Sequence, residues 1–149
     1  MMATQLAPSP GTSDERRSIR TFRDLKVWEK AFHLALDIHR RTAALPEAAA
    51  PGLGGGMREA AVALTTHIAQ GHSHSYLRDF LRCLDQSLAA LADLETRILL
   101  AGALRYLEPA VCADLEERIS EVRRMEWGLV NRLRAKDSGT GTGGAGSGP

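Results

Sequence analysis

The stretch from Tyr76 to Ala101 repeats an apolar residue every seven positions, at Leu77, Leu84, Leu91 and Ile98, with Phe80, Ser87 and Leu94 and with Leu81 and Leu88 alongside. A helix turns once in about 3.6 residues, so this repeat draws one continuous seam along one face. A seam of that length is buried only by other helices laid beside it. The chain is therefore predicted to be all-α, and the rest of the sequence must supply the partners.

Three further segments do so. From about Asp24 to Ala44, ending before Pro46, the polar residues Lys26, Glu29, Lys30, His33, Asp37, Arg40 and Arg41 gather within roughly 120° of a helical wheel. The remaining arc holds two apolar stripes: Leu25, Trp28, Phe32, Ala35 and Leu36, and beside it Val27, Ala31, Leu34 and Ile38. A bundle helix needs one stripe. The second is either an oligomer contact or the mark of a first helix buried deep in a monomer. "APGLGGG", Ala50 to Gly56, reads as a hinge rather than a phosphate loop, since no Gly-Lys-Ser/Thr ending follows. A second helix then runs from about Met57 to Gln70, with Gly71 as its stop, and Gly102 lies at the end of the heptad helix. The last helix begins near Pro109, which a first turn tolerates, and carries Val111, Leu115, Ile119, Val122, Leu129 and Leu133 to about Ala135. Glu126 interrupts that stripe, either as a buried, paired carboxylate or as the point where the bundle frays.

Residues 1–20, rich in Pro, Ser and Thr, and the Gly-rich tail 137–149, "DSGTGTGGAGSGP", offer little apolar surface to bury and are expected to be disordered. Residues 21–136 then form one antiparallel up-down-up-down four-helix bundle. No apolar run reaches the length of a membrane span or signal peptide, so a cytoplasmic protein is expected. Cys83 and Cys112 lack metal-ligand spacing and should sit at opposite ends of the bundle, more than ~20 Å apart at 1.5 Å per residue. They are read as reduced, packed thiols.

With the helices assigned, the chain resembles the four-helix bundle proteins first noticed as reading frames in intervening sequences of bacterial 23S ribosomal RNA genes. The resemblance covers roughly residues 21–134. It rests on "FRDLKVWEKAFHLALDIHRRT" followed by Pro46, on "GLGGGMREAAVALTTHIAQG" and on "RDFLRCLDQSLAALADLET". The family's second motif usually ends in Asn-Ile-Ala-Glu-Gly; here His67 and Gln70 replace its Asn and Glu, and "VALTT" replaces the Ser-Ile-Pro-Ser that commonly precedes it. A role carried by that Asn and Glu would not transfer. The resemblance implies a homo-oligomer, a pentamer in characterised relatives. It also implies kinship with the accessory proteins of diversity-generating retroelements, which assist a reverse transcriptase and its template RNA.

The chemistry-bearing residues point away from catalysis. His67, His72 and His74 lie within eight residues, but two His at i and i+2 in a connection, with no His-x3-His face and no nearby Cys, do not match a structural zinc site. No nucleophile elbow, HExxH motif or recognisable carboxylate pair is present, so neither enzyme activity nor a cofactor or metal is expected. Arg58 and Glu95 fall at one end of the proposed bundle and match charged positions common in the family, and are expected to form an interhelical ion pair that fixes register.

Charge is unevenly distributed. Net charge is +1, yet the end where the N-terminus, the turn between helices two and three, and the C-terminus meet collects thirteen basic and eight acidic residues, a net +5. The other half holds the remaining six basic and ten acidic residues, a net −4. Repeated around an oligomer, the first end would make a basic ring, with Arg20, Arg23, Arg78, Arg82, Arg132, Arg134 and Lys136 contacting the phosphates of RNA or DNA. Two readings follow: a non-enzymatic binding module for nucleic acid or for an enzyme acting on it, or a protein-interaction scaffold on whose surface these charges merely pair.

Overall fold

The computed structural model describes residues 19–46 and 49–142. Of the segments expected to be disordered, 1–20 and 137–149, residues 1–18 and 143–149 lie outside the described residues, whereas 137–142 are helical and extend the last helix. Four α-helices carry the fold: α1 (Lys26–Thr42), α2 (Gly55–Ser73), α3 (Leu77–Ala103) and α4 (Pro109–Thr142).

Contacts across the helix pairs run in opposite directions along the chain. Thr65 Oγ1 reaches the Ala31 carbonyl, while Arg58 reaches Thr42. Gly71 lies beside Cys83, and Gly56 beside Arg97. Gly102 abuts Cys112, while Ser87 meets Glu126. Lys30 pairs with Glu121, and Asp37 with Arg118. Each helix is thus antiparallel to the next, and α4 returns beside α1. This is an up-down-up-down bundle closed into a square.

The seam of α3 is buried as its period requires: Leu84, Leu91, Leu94 and Ile98 are fully enclosed. They join Leu34 and Ile38 of α1, Met57, Leu64 and Ile68 of α2, and Leu115 and Ile119 of α4 in one core. Between these large side chains lie Ala31, Ala60, Ala61 and Ala101, which let the helix axes approach.

α1 is introduced by a short 3-10 turn, Phe22–Asp24. Thr21 Oγ1 accepts the Arg23 N–H, and Asp24 Oδ2 accepts the N–H groups of Arg20 and Thr21. Those two backbone donors hold the Asp24 carboxyl below the usual carboxylate range.

Three glycines read as breaks are helical instead. Ala50–Gly54 forms a π-helical turn that leads directly into Gly55 and Gly56 of α2, so no hinge separates them. A Cβ on Gly56 would overlap the Arg97 guanidinium, the movable end of that side chain. Gly71 lies inside α2, which runs on to Ser73 and takes in His72. A Cβ there would stand 3.1 Å from Cys83 Cβ and 2.8 Å from Phe80 Cδ1. Gly102 likewise lies inside α3, where a Cβ would come within 2.8 Å of Cys112 Sγ. Beyond the end of α3, Arg105 takes φ = 64° while Tyr106 N–H donates to the Ala101 carbonyl (2.8 Å) and Arg105 N–H to Gly102 (3.0 Å). This is a Schellman closure with arginine at the position that glycine usually fills.

Cys83 and Cys112 are free and buried at opposite ends of the bundle, as expected. Burial pushes the Cys112 thiol above its ordinary range, with the Glu116 charge adding to it. α4 continues to Thr142, beyond the apolar stripe's last member, Leu133. From Arg134 to Ser138 every side chain is exposed. No helix among the described residues is long and apolar enough to cross a membrane.

Candidate interaction surfaces

The two stripes of α1 meet different surroundings. Val27, Ala31, Leu34 and Ile38 are buried in the core, whereas Phe32 is 40% exposed and Leu36 36% exposed. Part of the polar face of α1 turns inward against α4. Asp37 accepts from Arg41 (2.9 Å) and Arg118 (2.6 Å), and Lys30 lies 3.5 Å from Glu121. These pairs are partly solvated, so each contributes about 0–1 kcal/mol, enough to orient α1 but not to hold it. With its polar face occupied by α4 and one stripe in the core, α1 presents the other stripe outward beside α2.

That stripe lines a groove of about 450 Å³ between α1 and α2. Phe22, Trp28, Phe32 and Leu36 form one wall, and Val62, Thr66 and Ala69 of α2 the other. Trp28 stacks on Phe32 at 5.0 Å and takes the edge of Phe22 at 5.1 Å, so the aromatic wall is held by its own contacts. Val62 opposite is 45% exposed. Thr65 Oγ1 donates to the Ala61 carbonyl (2.8 Å) and His39 Nδ1 to Ala35 (3.0 Å), which leaves few polar atoms to compete for an apolar guest. A second apolar surface lies elsewhere, at the end of α3, where Leu99, Leu100 and Leu104 are about half exposed.

The antiparallel register brings Arg20, Arg23, Arg78, Arg82, Arg132, Arg134 and Lys136 to one end of the bundle, and all seven are exposed. Arg82 lies 3.0 Å from Asp79, and the Arg134 guanidinium sits 6.0 Å above the Trp127 ring. Arg123, one of the thirteen basic residues that the sequence assigns to that end, is engaged by α3, donating to Glu95 at 2.6 Å.

That bond corrects the pairing expected between Arg58 and Glu95, which do not meet. Arg58 turns toward α1 and donates to Thr42 Oγ1 (3.2 Å), while Glu95 faces α4. The two side chains leave their helices toward different neighbours, which a bundle topology without side-chain directions does not reveal.

The histidines do not converge. His67 Nδ1 donates to Gln70 Oε1 at 3.1 Å, so the two residues that depart from the resemblance motif bond to each other. His72 packs edge-on against Phe80, and His74 caps α2. Among the described residues no three of His, Cys, Asp and Glu are grouped so as to hold a metal ion.

Glu126 is buried rather than frayed: the whole residue is 0% exposed. Ser87 Oγ lies 2.8 Å from Oε1 and 3.3 Å from the Leu64 carbonyl, while Oε2 has no partner. Burial pushes the carboxyl up to about 7, and the bond to Ser87 and the Arg123 charge only partly oppose this.

The model of the family described as 23S rRNA-intervening sequence protein matches residues 23–128. No curated protein matches the chain.

Proposed function

Since this chain belongs to the 23S rRNA-intervening sequence protein family, we propose that it is a non-enzymatic, self-assembling binding module that offers its basic end to RNA or DNA, or to an enzyme working on them such as a reverse transcriptase. The observation that carries this reading is the gathering of seven exposed cations at one end of a bundle whose net charge is only +1. Assembly multiplies that end into a ring, and multivalent phosphate contact follows from counterion release.

The groove between α1 and α2 supports self-assembly. Its aromatic wall and Val62 are an apolar surface of the kind that marks an interface. Leu99, Leu100 and Leu104 form a second, separate apolar surface. Two unlike patches on one chain suit a head-to-tail ring, whereas a single self-complementary patch suits a dimer. The occupant proposed for the groove is accordingly a second copy of this chain, in a pentamer as the family resemblance implies.

Two measurements test the reading. Light scattering should give a closed oligomer for the native chain and a monomer for Phe32→Glu combined with Leu36→Glu, because two carboxylates in an apolar contact cannot be desolvated. An unchanged oligomer would remove the groove from the interface. Binding to structured RNA and duplex DNA should weaken linearly in log salt. Replacing Arg78, Arg82, Arg132 and Arg134 together by Glu should flatten that slope by about three, four phosphate contacts at roughly 0.7–0.9 each. If the intact native oligomer binds neither polymer at low salt, the groove and the leucine patch make a protein-interaction scaffold the better reading.

A further inference from the structure

Glu126 is a fully buried carboxyl set among neutral groups, and every element around it can be named. α2 offers the Leu64 carbonyl and α3 the Ser87 hydroxyl. At this level the register sets the buried, uncharged Val27 and Ala31 of α1, whose Lys30 is engaged with Glu121 at the surface. On α4 itself Arg123 lies one turn away, but its guanidinium donates to Glu95. Among the described residues no cation neutralises the carboxylate by direct contact.

The hydrogen-bond arithmetic favours the acid form. Ser87 has one hydroxyl proton and two acceptors, the Leu64 carbonyl and Glu126 Oε1. If Glu126 is ionised, one acceptor goes without that proton. If Glu126 is protonated, its O–H donates to Ser87 Oγ and the Ser87 hydroxyl donates to Leu64, so each proton has one acceptor. Oε2, which has no partner, is then part of a neutral acid rather than of a charge.

We propose that Glu126, Ser87 and the Leu64 carbonyl form a proton-operated latch that closes the part of α4 beyond Glu126 onto the bundle when the carboxyl is protonated and loosens it when the carboxyl ionises. The segment beyond the latch carries Leu129, Val130 and Leu133, together with Arg132, Arg134 and Lys136 of the basic end. Ionisation therefore acts on the presentation of those cations, whether or not they bind nucleic acid.

The sign is fixed by linkage. The folded carboxyl titrates near 7 and its ordinary value is 4.5, so the native state holds the proton more tightly than the unfolded chain. Stability from this group is full below the ordinary value, declines as pH rises toward the folded value, and levels off above it. Between pH 5 and 8 the unfolding constant should rise by roughly seventyfold on this account. Glu126→Gln, which keeps the shape without the charge, should lack that rise.

The decisive measurement is hydrogen exchange of the 127–136 amides from pH 5 to 9, corrected for intrinsic exchange, on the native full-length chain and on Glu126→Gln. Carbon NMR titration of the Glu126 carboxyl in the native chain accompanies it. Expected are a carboxyl titrating near neutrality and protection of 127–136 that falls through the same pH range in the native chain only. A carboxyl that titrates below 5, or exchange profiles that match between the two proteins, would overturn the latch. Because both readouts are made without nucleic acid, they stand apart from the binding tests of the basic end.

Discussion

Leu91→Ala is expected to destabilise the bundle by about 3 kcal/mol, the middle of the range for emptying a fully buried leucine site. Leu91 is 0% exposed and lies at the centre of the seam that runs through Leu84 and Ile98. The cost has two parts: apolar area returned to water, and a cavity that neighbouring helices fill only in part. Because α3 is held by backbone hydrogen bonds along its length, its axis cannot collapse locally into the gap. For a chain of this size that loss should lower the melting temperature by about 10 °C. Urea unfolding should show a lower midpoint at unchanged slope, the signature of lost stability rather than an altered denatured state. Leu91→Met keeps nearly the same volume and should cost less than about 1.5 kcal/mol. Equal losses for the two variants would mean that shape, and not the cavity, governs the site.

Two glycine-to-alanine changes should move stability in opposite directions. In Gly71→Ala the new Cβ would meet Cys83 Cβ at 3.1 Å and Phe80 Cδ1 at 2.8 Å. The phenyl ring can turn, but Cys83 Cβ is fixed to the backbone of α3, so the helices must separate. Overpacking of this kind costs about 1–3 kcal/mol, against a helix-propensity gain of about 1 kcal/mol. A net loss of up to about 2 kcal/mol is expected. At Gly52 a Cβ would meet nothing within 4 Å, and the residue does not have a positive φ. Gly52→Ala should therefore stabilise by about 0.4–1 kcal/mol, chiefly by restricting the unfolded chain. Thermal unfolding of both variants in one buffer checks the pair. A stabilising Gly71→Ala would show that glycine there serves helix termination rather than close approach.

The same glycine shows why a sequence reading stops where it does. Glycine ends helices because it tolerates a left-handed turn, and it admits close helix contacts because it lacks a Cβ. Composition cannot separate these uses. At Gly71 and Gly102 the second holds, and the left-handed turn that closes α3 falls on Arg105, a residue that carries no terminating signal. Glu95 is a similar case. Its place at the level of the start of α2 was legible, but its partner, Arg123, depended on which flank of α3 it leaves from. Glu126 was legible only as an interruption. That it is enclosed, with Ser87 opposite, follows from a register between two helices that no local pattern encodes. The basic end belongs with what could be read early, since the antiparallel order of four helices sets which termini share a level.

By itself the sequence determined the all-α class, the four helices, their antiparallel order and the apolar seam of α3, because helical periodicity is a local property that burial merely obeys. Only the tertiary structure decided which stripe of α1 enters the core and which lines an open groove. Both stripes are apolar, and the choice fell to α4, whose Arg118 and Glu121 engage Asp37 and Lys30 and so turn the aromatic stripe outward. Periodicity states that a face will be covered. What covers it depends on neighbours far along the chain.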